Sequence, residues 1–155
     1  MNAPLTASCR SVAKAWPLER LGNLAEHRLG KMLDKVKNTG KPRRYLRNPN
    51  IRWFDVDLTD LKEIRVEDKD VARYKLLPGD VLICEGGEAG RAAIWKGEAE
   101  GVIFQKACHR VRVGPRLDAR FLVHRLLYDY HTGGLEDLLH RHDHQAPHRP
   151  GFGTV

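Results

Sequence analysis

The sequence predicts a mixed α/β fold of the α+β kind. Three observations lead there. Strand-like runs rich in Val, Ile, Leu and aromatic residues fill the middle of the chain. Helical spacing of apolar residues gathers near the two ends, with one short helix between. Pro, Gly and Asp clusters break the runs at short intervals, so strand and helix do not alternate regularly. The expected architecture is a single domain with a central, mostly antiparallel or mixed sheet flanked by helices.

Taken in order, Leu18, Leu21, Leu24 and Ala25 recur at helical spacing and predict a short helical turn. Residues 30–42 are basic and polar and end in Asn38-Thr39-Gly40-Lys41-Pro42, which predicts a long, positive, mobile loop. Residues 45–53 read as a strand, with Pro49 pointing to an edge or a bulge. Residues 61–66 alternate and predict a second strand. Residues 67–76 carry acids first and Arg73 and Lys75 late, the order a helix dipole favours. Pro78-Gly79-Asp80 is a turn, residues 81–84 a buried strand, and Glu85-Gly86-Gly87-Glu88 a tight turn. Residues 91–95 return as the hairpin partner. Residues 102–104 and 107–113 form another strand pair or one long bent strand. Phe121, Leu122, Arg125, Leu126, Tyr128 and Asp129 give residues 118–130 a helical pattern, and residues 135–140 a short second helix. The expected boundaries are a disordered leader over 1–15, the folded domain over 16–140 and a disordered tail over 141–155.

Composition narrows the function. The chain has 155 residues, of which 41% are hydrophobic, enough for a core. It has no apolar run long enough to span a membrane, and residues 1–15 lack the apolar stretch of a secretory signal. Cys9, Cys84 and Cys108 are an odd set without paired spacing, which predicts free thiols and a reducing cytoplasm. The formal net charge is +7, suited to a polyanionic partner. That charge is segregated. Residues 10–52 hold twelve Lys or Arg against three acids, whereas residues 53–70 hold seven acids against three bases. One strongly positive face or loop is the expectation.

Catalytic constellations are absent. His140, His142, Asp143, His144 and His148 make a histidine-rich tail, but their spacing fits no standard metal site. Glu85-Gly86-Gly87-Glu88 lacks the Lys-Ser/Thr of a phosphate-binding loop. Cys108 and His109 are adjacent in a strand and point to opposite faces, so they cannot act as nucleophile and base. A nucleic-acid reading fares better. Lys31, Lys35, Lys37, Lys41, Arg43 and Arg44 can neutralise phosphates, and Arg47, Asn48, Asn50 and Arg52 are residue types that read guanine and adenine edges. No enzyme, metal or cofactor is expected. Two alternatives stay open: a single-domain RNA-binding protein, which requires solvent-facing aromatics, and a small metal-dependent hydrolase using the tail histidines.

Several motifs then align in order. Residues 16–25 (Trp16-Pro17-Leu18 through Ala25), Arg28-Leu29-Gly30-Lys31, and Tyr45-Leu46-Arg47-Asn48-Pro49-Asn50-Ile51 are followed by Leu77-Pro78-Gly79-Asp80-Val81-Leu82-Ile83-Cys84-Glu85-Gly86-Gly87. Gly90-Arg91, Phe104-Gln105-Lys106-Ala107-Cys108-His109-Arg110-Val111 and the Phe121-Leu122 helix complete the set. Together they resemble the first target-recognition domain of type I restriction–modification specificity subunits, over residues 16–140. The resemblance implies a non-catalytic subunit that docks on duplex DNA and reads half of a bipartite target. It implies methyltransferase subunits as partners and, through them, restriction subunits. Gly79, Asp80, Gly86 and Gly87 become scaffold turns, and the bases of 31–52 become DNA contacts.

The tail departs from that pattern. After residue 140 the family continues with a Gly-Thr-Thr-Ile-Lys segment, whereas this chain reads Arg141-His142-Asp143-His144. With suitable codons, deleting one nucleotide after His140 restores Gly-Thr-Thr-Ile-Lys-His-Leu. The expectation is therefore a frameshifted, truncated domain, without the second recognition domain or the long spacer helices, and weak or inactive alone.

Overall fold

The computed structural model describes residues 19–34 and 36–135. The expected leader, the tail with its histidines, Lys35 and all but the first residue of the 135–140 helix lie outside the described residues.

The chain opens with a 3-10 turn at Leu21–Asn23 and enters β1, Ala25–Leu29. The helical spacing of residues 18–25 therefore yields one tight turn, and the strand after it is an element the periodicity did not announce. β2 is Lys41–Leu46, and a second 3-10 turn covers Asn48–Asn50. The continuous strand expected over 45–53 is broken at Pro49, which lacks a ladder donor and starts the turn instead. The hairpin strands β3 (Ile51–Arg52) and β4 (Asp55–Val56) follow, then β5 (Lys62–Val66) and helix α1 (Asp68–Tyr74). β6 (Val81–Cys84) and β7 (Ala92–Ile94) form the expected antiparallel hairpin. β8 (Ile103–Phe104) and β9 (Cys108–Val113) are neither a pair nor one bent strand, because the turn between them carries the chain from one sheet to another. Helix α2 runs Ala119–Thr132.

One sheet has the order β1-β9-β6-β7, antiparallel throughout. The other has the order β5-β2-β8, with β2 antiparallel to β5 and parallel to β8. The alternation of β9 shows how the first sheet is used. Cys108 faces a core shared with the second sheet, built on Leu46, Ile51, Tyr74, Leu82, Trp95 and Phe104. Val111 faces the opposite way, onto Leu122 and Val123 of α2. The architecture is thus mixed α/β, with helices flanking the sheets.

Local chemistry sets the element ends. Asp118 caps α2, its carboxylate accepting from the Arg120 and Phe121 backbone N–H groups, and Gly133 ends the helix in the left-handed region at φ 77°. Gly30 lies so close to the Gln105 carbonyl that a Cβ would overlap it, which lets Lys31 bridge to β8's continuation. At the β6 entrance Asp80 is 1% exposed. Its oxygens accept from Arg112 Nε at 2.7 Å and Nη2 at 2.8 Å, and from the Leu77 N–H at 2.8 Å. Beside it Arg110, also buried, donates to Glu26 at 2.8 Å and to the Lys75 carbonyl at 2.9 Å.

Candidate nucleic-acid interface

Among the described residues, the basic residues singled out in the sequence sit on the loop before β2, on β2, at the turn after it and, for Arg52, on β3. The acids sit next to them. β2 pairs with β5 in a register that sets Arg44 opposite Glu63, and α1 begins beyond the end of β5. The charge segregation along the sequence is therefore largely undone in space. Asp68 accepts from Lys41 Nζ at 3.0 Å and from Arg43 Nη2 at 3.1 Å. Asp60 accepts from Arg47 at 2.6 Å, Asp57 from Arg52 at 2.9 Å, and Asp70 from Lys31 at 3.4 Å. Lys37 lies 3.8 Å from Asp34. Arg44 is exposed and has no ion pair among the described residues. The uniformly positive face expected from composition is corrected to a lattice of cations and acids.

The carboxylates respond. Asp57 is held down to about 2, chiefly by the Thr59 hydroxyl and N–H and then by Arg52. Hydrogen bonds from Lys62 and Arg47 lower Asp60, and those from Lys41 and Arg43 lower Asp68. Each stays ionised and paired at neutral pH.

Exposure divides the cations. The side chains of Lys37 and Lys41 are 85% and 73% exposed, and pairs of that kind contribute roughly 0–1 kcal/mol, so a phosphate can replace the carboxylate. Arg43 and Arg47 are only 25% and 22% exposed and are pinned. The two asparagines are scaffold. Asn50 is 2% exposed, accepts from the Arg47 N–H at 2.9 Å and donates to the Asp57 carbonyl at 2.9 Å. Reading adenine would break both bonds, so Asn50 is withdrawn as a base-contact candidate. Asn48 donates to the Gly86 carbonyl at 3.0 Å and accepts from the Cys108 thiol at 3.2 Å, while its carbonyl receives Arg91 at 3.0 Å. It ties the turn after β2 to the Gly86-Gly87 turn and to β9. That role was missed, and the signal for it was the Asn-Pro-Asn turn chemistry. Gly79 and Gly87 adopt positive φ, 94° and 73°, in their turns.

The 31–40 loop is more tied than its composition suggested. Lys31 N–H donates to the Phe104 carbonyl at 2.8 Å, and Thr39 donates to Glu67 at 2.6 Å. Within it Asp34 accepts from the Val36 and Lys37 N–H groups, both at 3.0 Å.

No helix among the described residues is long and apolar enough to cross a membrane, and none of their His, Cys, Asp and Glu residues cluster as a metal site. Cys84 and Cys108 are free and buried, and burial pushes the Cys108 thiol up to about 12.

No protein-family model and no curated protein matches the chain. Solved structures do. The HsdS subunit from Thermoanaerobacter tengcongensis superposes with a TM-score of 0.51 at 16% identity, over 72% of this chain and 27% of that one. A chain from a structure describing complex assembly and conformational transition of the type I R-M system gives 0.51 at 14% identity, over 77% and 32%. This chain therefore spans under a third of either. At such identities the likeness is one of architecture: the chain has the mixed α/β fold found in part of an HsdS specificity subunit.

Proposed function

We propose that the chain is a target-recognition domain that binds duplex DNA sequence-specifically within a type I restriction–modification specificity subunit. It directs methylation and restriction carried out by partner methyltransferase and restriction subunits in the cytoplasm, and is not itself catalytic. The observation that carries this reading is the set of exposed cations, Lys37, Lys41 and Arg52 in exposed pairs and Arg44 without an ion pair among the described residues, on a fold shared with HsdS. Lys31, Arg43 and Arg47 are less exposed and held by Asp70, Asp68 and Asp60.

The test is fluorescence anisotropy of the full chain on a mixed-sequence duplex over a salt series. Binding should weaken linearly on logarithmic axes, and Lys37→Glu or Lys41→Glu should each reduce the slope by about one. Salt-independent binding, or wild-type slopes in both variants, would sink the assignment of these residues.

A single-stranded nucleic-acid reading has one observation in its favour. Phe54, Tyr128 and Tyr130 are exposed, and Phe54 and Tyr130 lie with Trp53 and His124 around the β3–β4 hairpin and α2. Stacking platforms are built this way. Competition by single-stranded RNA stronger than by duplex DNA would favour it.

A further inference from the structure

The 31–40 loop carries more than charge. Met32, Leu33 and Val36 are exposed at 58%, 47% and 90%, side by side on one loop. A folded chain gains nothing from holding three apolar side chains in water, and such clusters mark contact surfaces. Their surroundings say what kind. Lys31, Lys37 and Lys41 belong to the same loop and its exit into β2. Lys106 joins them because its N–H donates to the Lys31 carbonyl at 2.9 Å. The acids nearby are engaged: Asp34 accepts backbone N–H groups within the loop, Asp70 pairs with Lys31, and Glu85 meets His109.

Met32 and Leu33 line a groove of about 400 Å³ together with Glu85 and with Gln105, Lys106 and Ala107 of the β8–β9 turn. Hydrogen bonds tie both ends of the loop to the body, and Asp34 accepts from the Val36 and Lys37 N–H groups within it.

We propose that Met32, Leu33 and Val36 form an apolar wedge that enters a groove of duplex DNA and unstacks a base step, while the flanking lysines hold the phosphates on either side. Apolar side chains inserted between base steps, secured by neighbouring cations, recover unstacking energy through the closer fit of the bent duplex. The inference rests on the DNA-binding reading above and specifies how that surface engages its target.

Duplexes bound by the full chain would be selected from a random-sequence pool. Affinity, its salt slope and permanganate reactivity of the thymines would then be measured. Unstacked thymines oxidise faster, so the wild type should show one hyperreactive step. The triple variant Met32→Ser, Leu33→Ser, Val36→Ser, checked for folding by circular dichroism, should lose that signal and about tenfold in affinity while keeping the salt slope. Lys37→Glu should do the reverse, lowering the slope and leaving the hyperreactive step visible at saturating protein. An unchanged permanganate pattern in the triple variant overturns the wedge and leaves DNA binding standing. Absence of any duplex binding by the wild type overturns both. A wild-type dimer that the triple variant converts to a monomer, with DNA binding intact, assigns the loop to self-association and also overturns the wedge.

Discussion

Asn50, Asp80 and Asp57 show what single residues contribute. Asn50 and Asp80 are polar groups in the interior whose every bond is to the chain itself. Asp80→Ala leaves Arg112 without its carboxylate and the Leu77 N–H without an acceptor. We expect a loss of about 3 kcal/mol in urea unfolding, in the range for removing one partner of a buried pair. Asp57 supplies a pH prediction. Its folded value, about 2, lies below the ordinary 3.8. The group is therefore more readily ionised when folded, and its contribution is present above the ordinary value and lost as pH falls through the folded one. Asp60, Glu67, Asp68 and Asp118 are shifted the same way. Acid titration of the melting temperature should show a decline setting in below about pH 4, and Thr59→Val, which removes the largest cause at Asp57, should flatten it. The buried thiols give a third check. Cys84 and Cys108, both pushed up by burial, should stay unreactive towards alkylating reagents until denaturant is added.

Among the elements, α2 has the clearest local logic. Asp118 caps it and Gly133 ends it, so Asp118→Ala should lower the midpoint of thermal or urea unfolding. This helix was legible in the sequence because its periodicity and cap are local. So were β5, α1 and the β6–β7 hairpin, whose turns are written in Gly and Pro. β1 was not legible: it is an edge strand in which no residue, Ala25 to Leu29, is fully buried, and one face carries the Glu26–Arg110 pair. The break at Pro49 was half visible, as a bulge rather than as a turn. Least visible was the β8–β9 crossover, since a strand's choice of sheet depends on partners far away in sequence. The candidate site followed the same rule. Its cations could be named from composition, but their pairing could not, because Lys41 and Arg43 meet Asp68 only once β2 and β5 are in register. Asn48 and Asn50 looked like readers because residue type was visible and burial was not.

For the molecule as a whole, the four-stranded sheet separates two cores, one shared with β2 and β8 and one closed by α2, while the β3–β4 hairpin reaches α2 through Trp53 and Phe54. Changes on α2's outer face, such as Tyr128→Ala, should leave duplex affinity within experimental scatter if binding is confined to the 31–52 surface. A loss of affinity there would move the interface to the aromatic side, and the anisotropy assay of the basic-residue variants measures both.

The Arg43–Asp68 and Arg47–Asp60 pairs have one more consequence. Each carboxylate holds a guanidinium extended and oriented before any partner arrives. A long side chain that must stop moving in order to bind loses rotamer freedom at that moment. Here the ordering is completed as the chain folds. On the proposed DNA-binding reading, the acids keep these two guanidiniums ordered beside the more exposed lysines that a phosphate would meet first.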